Sequence, residues 1–531
     1  MSALFNLQNM NQIAQLHRLA QQAVNNRDFV KGHSYCVEII KQNPQHADSY
    51  FLLAMINVAV GQITKAIKLI HKALEIDTTA EYMAHLCKCY ALQGKIAEVC
   101  KYAELAPVKN IENPLTLDTL GVALSHIGLH QKALLYFAKA LTLNTKRPEF
   151  YYNFAVSSKF VGHFAQAREA FEAAIRLKAE YFQAHFALAD LGGIDKDNNH
   201  IKRLESLFNQ SIHPNNLLHI GHALAKEYEA LGEYDKSFEA LHQAKQAKLA
   251  ISHYQFSHDK ELFEHLQKTQ DLTRSNNQGY DSERPIFVLG MPRSGTTLVE
   301  RILSNHTDVT SCGELQDFAL AVKQVTATAS QTVLDLETLE AAQNVDYAEI
   351  GRRYIQSTAE VSGSSKYFID KLPFNFFYID LIRKALPKAK IICLLRNPMD
   401  TCIGNFRQLF SNTSPYYQYT YDLSTIGHFY AEFYQLAHRW AKLKPDNFML
   451  LKYEDLVMQP QTHIQQLLAF CQLPWQEKCL HVEQNQAPVA TASKVQVRQP
   501  INTHSIGSWK KFSRHTQDLE NILRDANIPV E

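Results

Sequence analysis

The residues best suited to chemistry lie in PIFVLGMPRSGTTLVER, at 285–301. Gly290 and Gly295 bracket a loop whose backbone N–H groups can converge on an anion, and Ser294, Thr296 and Thr297 add hydroxyls where a helix is predicted to open. A triphosphate loop of the pattern G-x-x-x-x-G-K-[ST] carries lysine where this chain has Thr296, and the cation here, Arg293, lies inside the loop. Such a loop suits a nucleotide with one 5′-phosphoryl or phosphosulfuryl group, which Arg293 can follow in flight. It argues against a magnesium-dependent kinase of the triphosphate type.

These residues need a rigid frame, and the second half of the chain predicts one. Ile286 to Leu289 are continuously apolar, as in a central parallel strand, and further strand-like runs follow in KYFID at 366–370, AKIICLLR at 389–396 and NFMLLKYEDL at 447–456. Strands alternating with helical stretches predict an α/β domain with a parallel sheet covered on both faces. The first half repeats instead. Gly61, Gly94, Gly128 and Gly162 recur at the period of 33–34 residues that marks tetratricopeptide repeats, with small residues after each glycine at Ala66, Ala133 and Ala167 and again at Ala73, Ala106, Ala140 and Ala174. Gly232, Ser237 and Ala244 mark a further repeat, and a degenerate first one places Asn26 at the glycine position. The predicted organisation is a tetratricopeptide superhelix over 1–248, a transition over 249–284 and an α/β domain over 285–531. Stacked helix pairs leave a concave groove that in this class holds peptides or partner proteins.

Four segments of the second half, in order, resemble the sulfotransferases, closest to the tyrosylprotein and bacterial tetratricopeptide-linked branches: PRSGTT at 292–297, LLRNPMDTCIGNFRQLF at 394–410, KYEDLV at 452–457 and VQVRQPINTHSIGSW at 495–509. The resemblance implies 3′-phosphoadenosine 5′-phosphosulfate as sulfuryl donor and no metal. It implies Glu314 as general base, Lys371 on the bridging oxygen of the leaving phosphate, and Arg293 on the sulfuryl oxygens. Ser294, Gly295, Thr296 and Thr297 would cradle the 5′-phosphate, Ser493 would contact the phosphosulfate, Arg396 would grip the 3′-phosphate, and Tyr453 and Arg498 would complete the nucleotide site. Gly404 stands where the pattern has a serine on the 3′-phosphate, so that either its own N–H or Asn405 is expected to donate. Ser508 replaces a basic residue before Trp509, with Lys510 beside it. The protein-tyrosine enzymes carry two adjacent acidic residues where this chain has Glu314 and Leu315.

These chemical roles are reasonable for the residue types. Sulfuryl transfer asks for an in-line nucleophile, a base for its proton, and cations for the departing oxygens. His306, an alternative base, is predicted to cap or pack beside the first helix of the domain.

Composition bounds the remaining classes. A formal net charge of +1 over 531 residues gives no argument for nucleic acid or an acidic membrane surface, and no apolar run reaches the roughly 18 residues of a membrane span. The N-terminus lacks the basic and apolar pattern of a secretory leader, and nine scattered cysteines predict free thiols in a cytoplasmic, reducing compartment. The expected protein transfers sulfuryl to a hydroxyl of a peptide, protein or other acceptor, tyrosine by resemblance. The alternative is a tetratricopeptide scaffold whose nucleotide domain has degenerated, as Gly404 and Ser508 suggest.

Overall fold

Small residues dictate the first part of the architecture. In the computed structural model, which describes residues 2–268, 279–330, 332–412, 414–443, 445–485 and 499–530, the chain forms two compact units, 1–191 and 192–531. The first is a series of antiparallel helix pairs, among them Ala47–Ala59 with Ile63–Ile76 and Pro114–His126 with His130–Leu143. Each turn needs one left-handed residue, and Gly61, Gly94, Gly128 and Gly162 supply it with φ between 70° and 89°. In the first pair this role falls to Arg27 at φ 59°, one residue beyond the expected Asn26. Ala66, Ala73, Ala133, Ala140, Ala167 and Ala174 have no exposed surface, because a larger side chain there would hold the paired helices apart.

The second unit begins at Gly192, earlier than the expected boundary at 248. The helices Pro214–Ala230 and Tyr234–Leu249 repeat the earlier turn chemistry, with Gly232 at φ 78°, yet they pack on the α/β domain. Phe238 stacks on Phe406 at 5.2 Å and on His515 at 4.3 Å. The stretch expected as a transition carries the helix Phe256–Lys268, whose Phe263 is fully buried against Phe376, Phe377 and Phe429.

Among the described residues the sheet has five parallel strands: β1 (Pro285–Gly290), β2 (Val309–Ser311), β3 (Tyr367–Asp370), β4 (Lys390–Leu395) and β5 (Phe448–Lys452), in the order β2-β3-β1-β4-β5. β1 is central, with Phe287 level with Asp370 on one side and Ile391 on the other. Ile286, Phe287, Val288 and Leu289 have no exposed surface, as a strand covered on both faces requires. The carboxyl ends of β1, β3 and β4 therefore open at one edge, where α/β folds place their ligands.

One buried cation ties the helical pair to this domain. Lys245 is 1% exposed, donates to the Thr420 carbonyl at 2.9 Å and lies 5.1 Å from the Phe406 ring centre. Burial pulls its ammonium down to about 7. Between that value and the ordinary lysine value the unfolded chain holds more protons than the folded one, so this group makes stability rise with pH above about 7. Lys245→Met is expected to flatten that rise, read as the difference between urea midpoints at pH 7 and pH 9 in the two proteins.

Candidate functional site

The loop after β1 is shaped by its own strain and by partners that take its carbonyls. Gly290 and Gly295 adopt φ 144° and 106°, and Arg293, which has a side chain, is also left-handed at φ 68°. The Asn405 amide donates to the Pro292 carbonyl at 2.7 Å and Arg396 Nη1 to the Arg293 carbonyl at 3.1 Å. Gly295 precedes the helix Thr296–Ser304 and has no side chain with which to cap it, and a helix N-terminus of this kind favours an anion. Ser294 is 1% exposed, and its Oγ has no hydrogen-bond partner among the described residues.

Arg396 follows β4 and is held from several sides. Its Nη2 donates to the Ser505 carbonyl at 2.7 Å, its guanidinium lies 4.5 Å from the Tyr453 ring centre, and its buried Nε has no partner among the described residues. Tyr453 in turn hydrogen-bonds Ser505 Oγ through its hydroxyl at 2.8 Å. Asp400, in the helix Pro398–Phe406, accepts from the N–H groups of Gly507 at 2.7 Å and Trp509 at 2.9 Å and from Ser508 Oγ at 3.1 Å. One carboxylate thus pins the start of the 3₁₀ segment Ser508–His515 against the site.

Together these parts enclose a cavity of about 400 Å³ lined by Arg293, Gly295, Thr297, Arg396, Tyr453 and Ser505, and also by Arg407, Lys511, Glu229 and Tyr234. Four cations against one carboxylate among the described lining residues give it a positive field that favours anions.

A second group stands at the end of β3. Lys371 is 1% exposed, and its Nζ donates to Glu314 Oε1 at 2.5 Å and lies 3.9 Å from Glu300 Oε2. Glu300, one turn into the helix after the loop, accepts from Ser311 Oγ at 2.5 Å; burial raises its carboxyl above the usual range, against the pull of Lys371. The loop carrying Glu314 is fixed by Lys371 N–H on the Gly313 carbonyl at 2.8 Å and by Asp370, which takes the Leu315 N–H. Asp370 has no exposed surface and also accepts from Tyr354 at 3.0 Å and Asn375 at 3.3 Å; burial pushes its carboxyl up to about 8. Glu314 also lines a small cavity of about 90 Å³ with Leu372, Phe374, Tyr378, Tyr416 and Tyr417.

Of the residues singled out in sequence, Arg293, Gly295, Thr297, Arg396 and Tyr453 meet at the larger cavity, Ser294 and Thr296 are buried in the loop and helix start beside it, and Glu314 and Lys371 pair with each other. Ser493 and Arg498 lie outside the described residues. Gly404 presents no free backbone edge. It sits inside the helix Pro398–Phe406, where its N–H belongs to the helical ladder, and a Cβ there would come within 3.3 Å of Arg293 Cβ. The Asn405 amide, the other expected donor, serves the Pro292 and Thr401 carbonyls. His306 takes the Asp308 N–H and contacts the Pro474 carbonyl, a packing role beside the first helix. Lys511 reaches the cavity in place of the expected Lys510. Sequence reasoning missed Asp400, Glu300, Arg407 and Glu229; the Asn-Pro-x-Asp string after the strand was a usable signal for the first of these. Among the described residues no group of three or more His, Cys, Asp or Glu side chains could hold a metal ion, and no helix is long and apolar enough to cross a membrane.

Comparison with known proteins agrees with this construction. The family model described as "Sulfotransferase family" matches residues 285–477, and two tetratricopeptide repeat models match 47–79 and 157–192. An uncharacterized protein of Aquifex aeolicus (strain VF5) is 30% identical over 383 residues, 70% of this chain and 49% of that one. Protein-tyrosine sulfotransferase 1 of Danio rerio is 24% identical over 251 residues, covering 43% and 67%. The protein-tyrosine sulfotransferase of Drosophila melanogaster is 24% identical over 267 residues, covering 47% and 52%. The chain thus spans about half the length of the Aquifex and Drosophila relatives. Loop, sheet order and family match converge on one statement: this chain joins tetratricopeptide repeats to a sulfotransferase-family domain.

Proposed function

We propose that the second unit transfers a sulfuryl group from 3′-phosphoadenosine 5′-phosphosulfate to a hydroxyl, and that the acceptor is a phenol, tyrosine in a peptide or protein held by the repeats. The observation that carries this reading is the Glu314–Lys371 pair at 2.5 Å, in which the carboxylate also faces an aromatic-lined cavity. A base and a leaving-group cation are the two parts such a transfer needs beside its anion cradle.

The donor fits the residues present. Ser294 Oγ and Arg396 Nε are buried donors with no partner among the described residues, and the cavity's cations are placed for more than one anionic group. When bound, that donor supplies the activated sulfuryl group and a phosphate leaving group. The loop N–H groups and Thr297 hold the 5′ end, and Arg396 on its Tyr453 platform grips the 3′-phosphate. Glu314 takes the proton of the acceptor hydroxyl as its oxygen bonds to sulfur. The electron pair of the breaking S–O bond stays with the departing phosphate, whose growing charge the Lys371 ammonium meets.

The smaller cavity favours a phenol. At about 90 Å³ it admits one side-chain-sized group, far below the roughly 300 Å³ of sites for larger ligands, and Phe374 stacks with Tyr416 at 5.4 Å along its wall. Calorimetric titration with adenosine 3′,5′-bisphosphate, with ATP plus magnesium as comparison, tests the donor. Tight bisphosphate binding, weakened about tenfold or more in Arg396→Ala, is expected because a charged hydrogen-bonded pair contributes about 1.5–3 kcal/mol. If no bisphosphate binds, the enzyme reading falls and the chain is a tetratricopeptide scaffold with a degenerate nucleotide domain.

A further inference from the structure

The wall of the larger cavity contains an anion that an anion site would not be expected to keep. Glu229, the last acidic residue of the helix Pro214–Ala230, lines it together with Arg293, Arg396, Arg407 and Lys511. A carboxylate there repels an incoming phosphate unless a cation engages it. Arg407 does so through two nitrogens, Nε to Oε1 at 2.8 Å and Nη2 to Oε2. This is the forked geometry a guanidinium also presents to phosphate. The Arg407 guanidinium also lies 5.1 Å from the Phe512 ring centre, which keeps it at the cavity. Gly404, three residues earlier in the helix Pro398–Phe406, brings no side-chain donor of its own, whereas Arg407 lines the cavity.

We propose that Glu229 is a built-in competitor for the anion this cavity takes, holding Arg407 until a phosphate of the ligand displaces it. The proposal rests on the nucleotide reading above. No covalent bond changes in the exchange: the guanidinium passes from carboxylate to phosphate, and Glu229 is left to the hydroxyl of Ser237, 3.4 Å away, and to water. Both side chains are partly open, 32% for Arg407 and 20% for Glu229, so solvent can take over the carboxylate. The hairpin itself stays docked, since its Asp235 is bonded to Arg514 at 2.9 Å and His515 at 3.0 Å.

Titration of the full chain with adenosine 3′,5′-bisphosphate and with adenosine 5′-monophosphate tests the exchange. Glu229→Gln is expected to tighten bisphosphate binding about tenfold and Arg407→Met to weaken it about tenfold, each changing monophosphate affinity much less. Should Arg407→Met fail to fold, Arg407→Lys keeps the charge without the fork and is expected to weaken binding by a smaller factor. Weaker bisphosphate binding in Glu229→Gln would show that the carboxylate orients Arg407 and would overturn the proposal. So would unchanged affinity in Glu229→Gln and the Arg407 variant alike. Bisphosphate binding seen only in Glu229→Gln would be its strongest support. If neither the natural protein nor Glu229→Gln binds the bisphosphate, the nucleotide reading fails and the competitor role goes with it.

Discussion

Glu314→Gln is expected to lower turnover of a small phenol by about 10²–10⁴-fold while leaving adenosine 3′,5′-bisphosphate affinity within a few-fold. The amide keeps the size of the side chain and its place beside Leu372 and Phe374 but cannot take the acceptor proton. Lys371 engages only Oε1 of the carboxylate, at 2.5 Å, so the acceptor proton is expected on the other oxygen while the ammonium turns to the charge that moves to the leaving phosphate. Glu300 then remains as the anion nearest the ammonium, at 3.9 Å. Lys371→Ala is expected to be comparably slow, and the double variant no slower than about the worse single one, because the two residues act as a unit. Single-turnover measurements at saturating donor separate this from binding. A Glu314→Gln protein that keeps more than about a tenth of the natural rate would assign the base elsewhere.

The sequence made the frame of this site readable because its signals are strong and local. Glycines at a fixed period require left-handed turns, and the run Ile286 to Leu289 can only be a covered strand. β2 escaped notice because it has three residues, Val309 to Ser311, too few to show a period. The first helix pair was misplaced by one residue because Arg27 adopts the conformation normally left to glycine. Within the site, loop and strand-end residues were legible from order along the chain. The tertiary partners were not: Glu229 stands 178 residues from Arg407, and Asp400 stands 107 from Gly507. The compact units divide at Gly192 and not at 248 for the same reason. Repeat periodicity assigns the helices at 214–249 to the superhelix, whereas the buried Lys245 and the stacked Phe238 pack them on the sheet domain. At Gly404 the motif position pointed to a ligand contact, and the fold shows there a helix interior packed close to Arg293.

Gly295→Ala should be the most damaging change to nucleotide binding, with a loss of bisphosphate affinity of about 100-fold or more. Two costs coincide at this position. The backbone is left-handed at φ 106°, a strain of about 1–3 kcal/mol for a residue with a Cβ. The new methyl carbon would also stand 2.5 Å from Tyr453 Cδ2 and 3.1 Å from Cε2, closer than carbon atoms approach. Tyr453 cannot retreat freely. Its ring carries the Arg396 guanidinium at 4.5 Å and its hydroxyl is bonded to Ser505, whose carbonyl accepts from the same arginine. Pushing the ring therefore disturbs the loop's anion cradle and the 3′-phosphate cation in one movement, and about 2.7 kcal/mol is enough for the 100-fold loss. Tyr453→Ala in the Gly295→Ala background removes the clash and leaves the backbone strain. It should recover folding stability, read by thermal unfolding, while bisphosphate affinity stays low because Arg396 has lost its platform. If Gly295→Ala alone binds the bisphosphate like the natural protein, the loop is not the anion cradle.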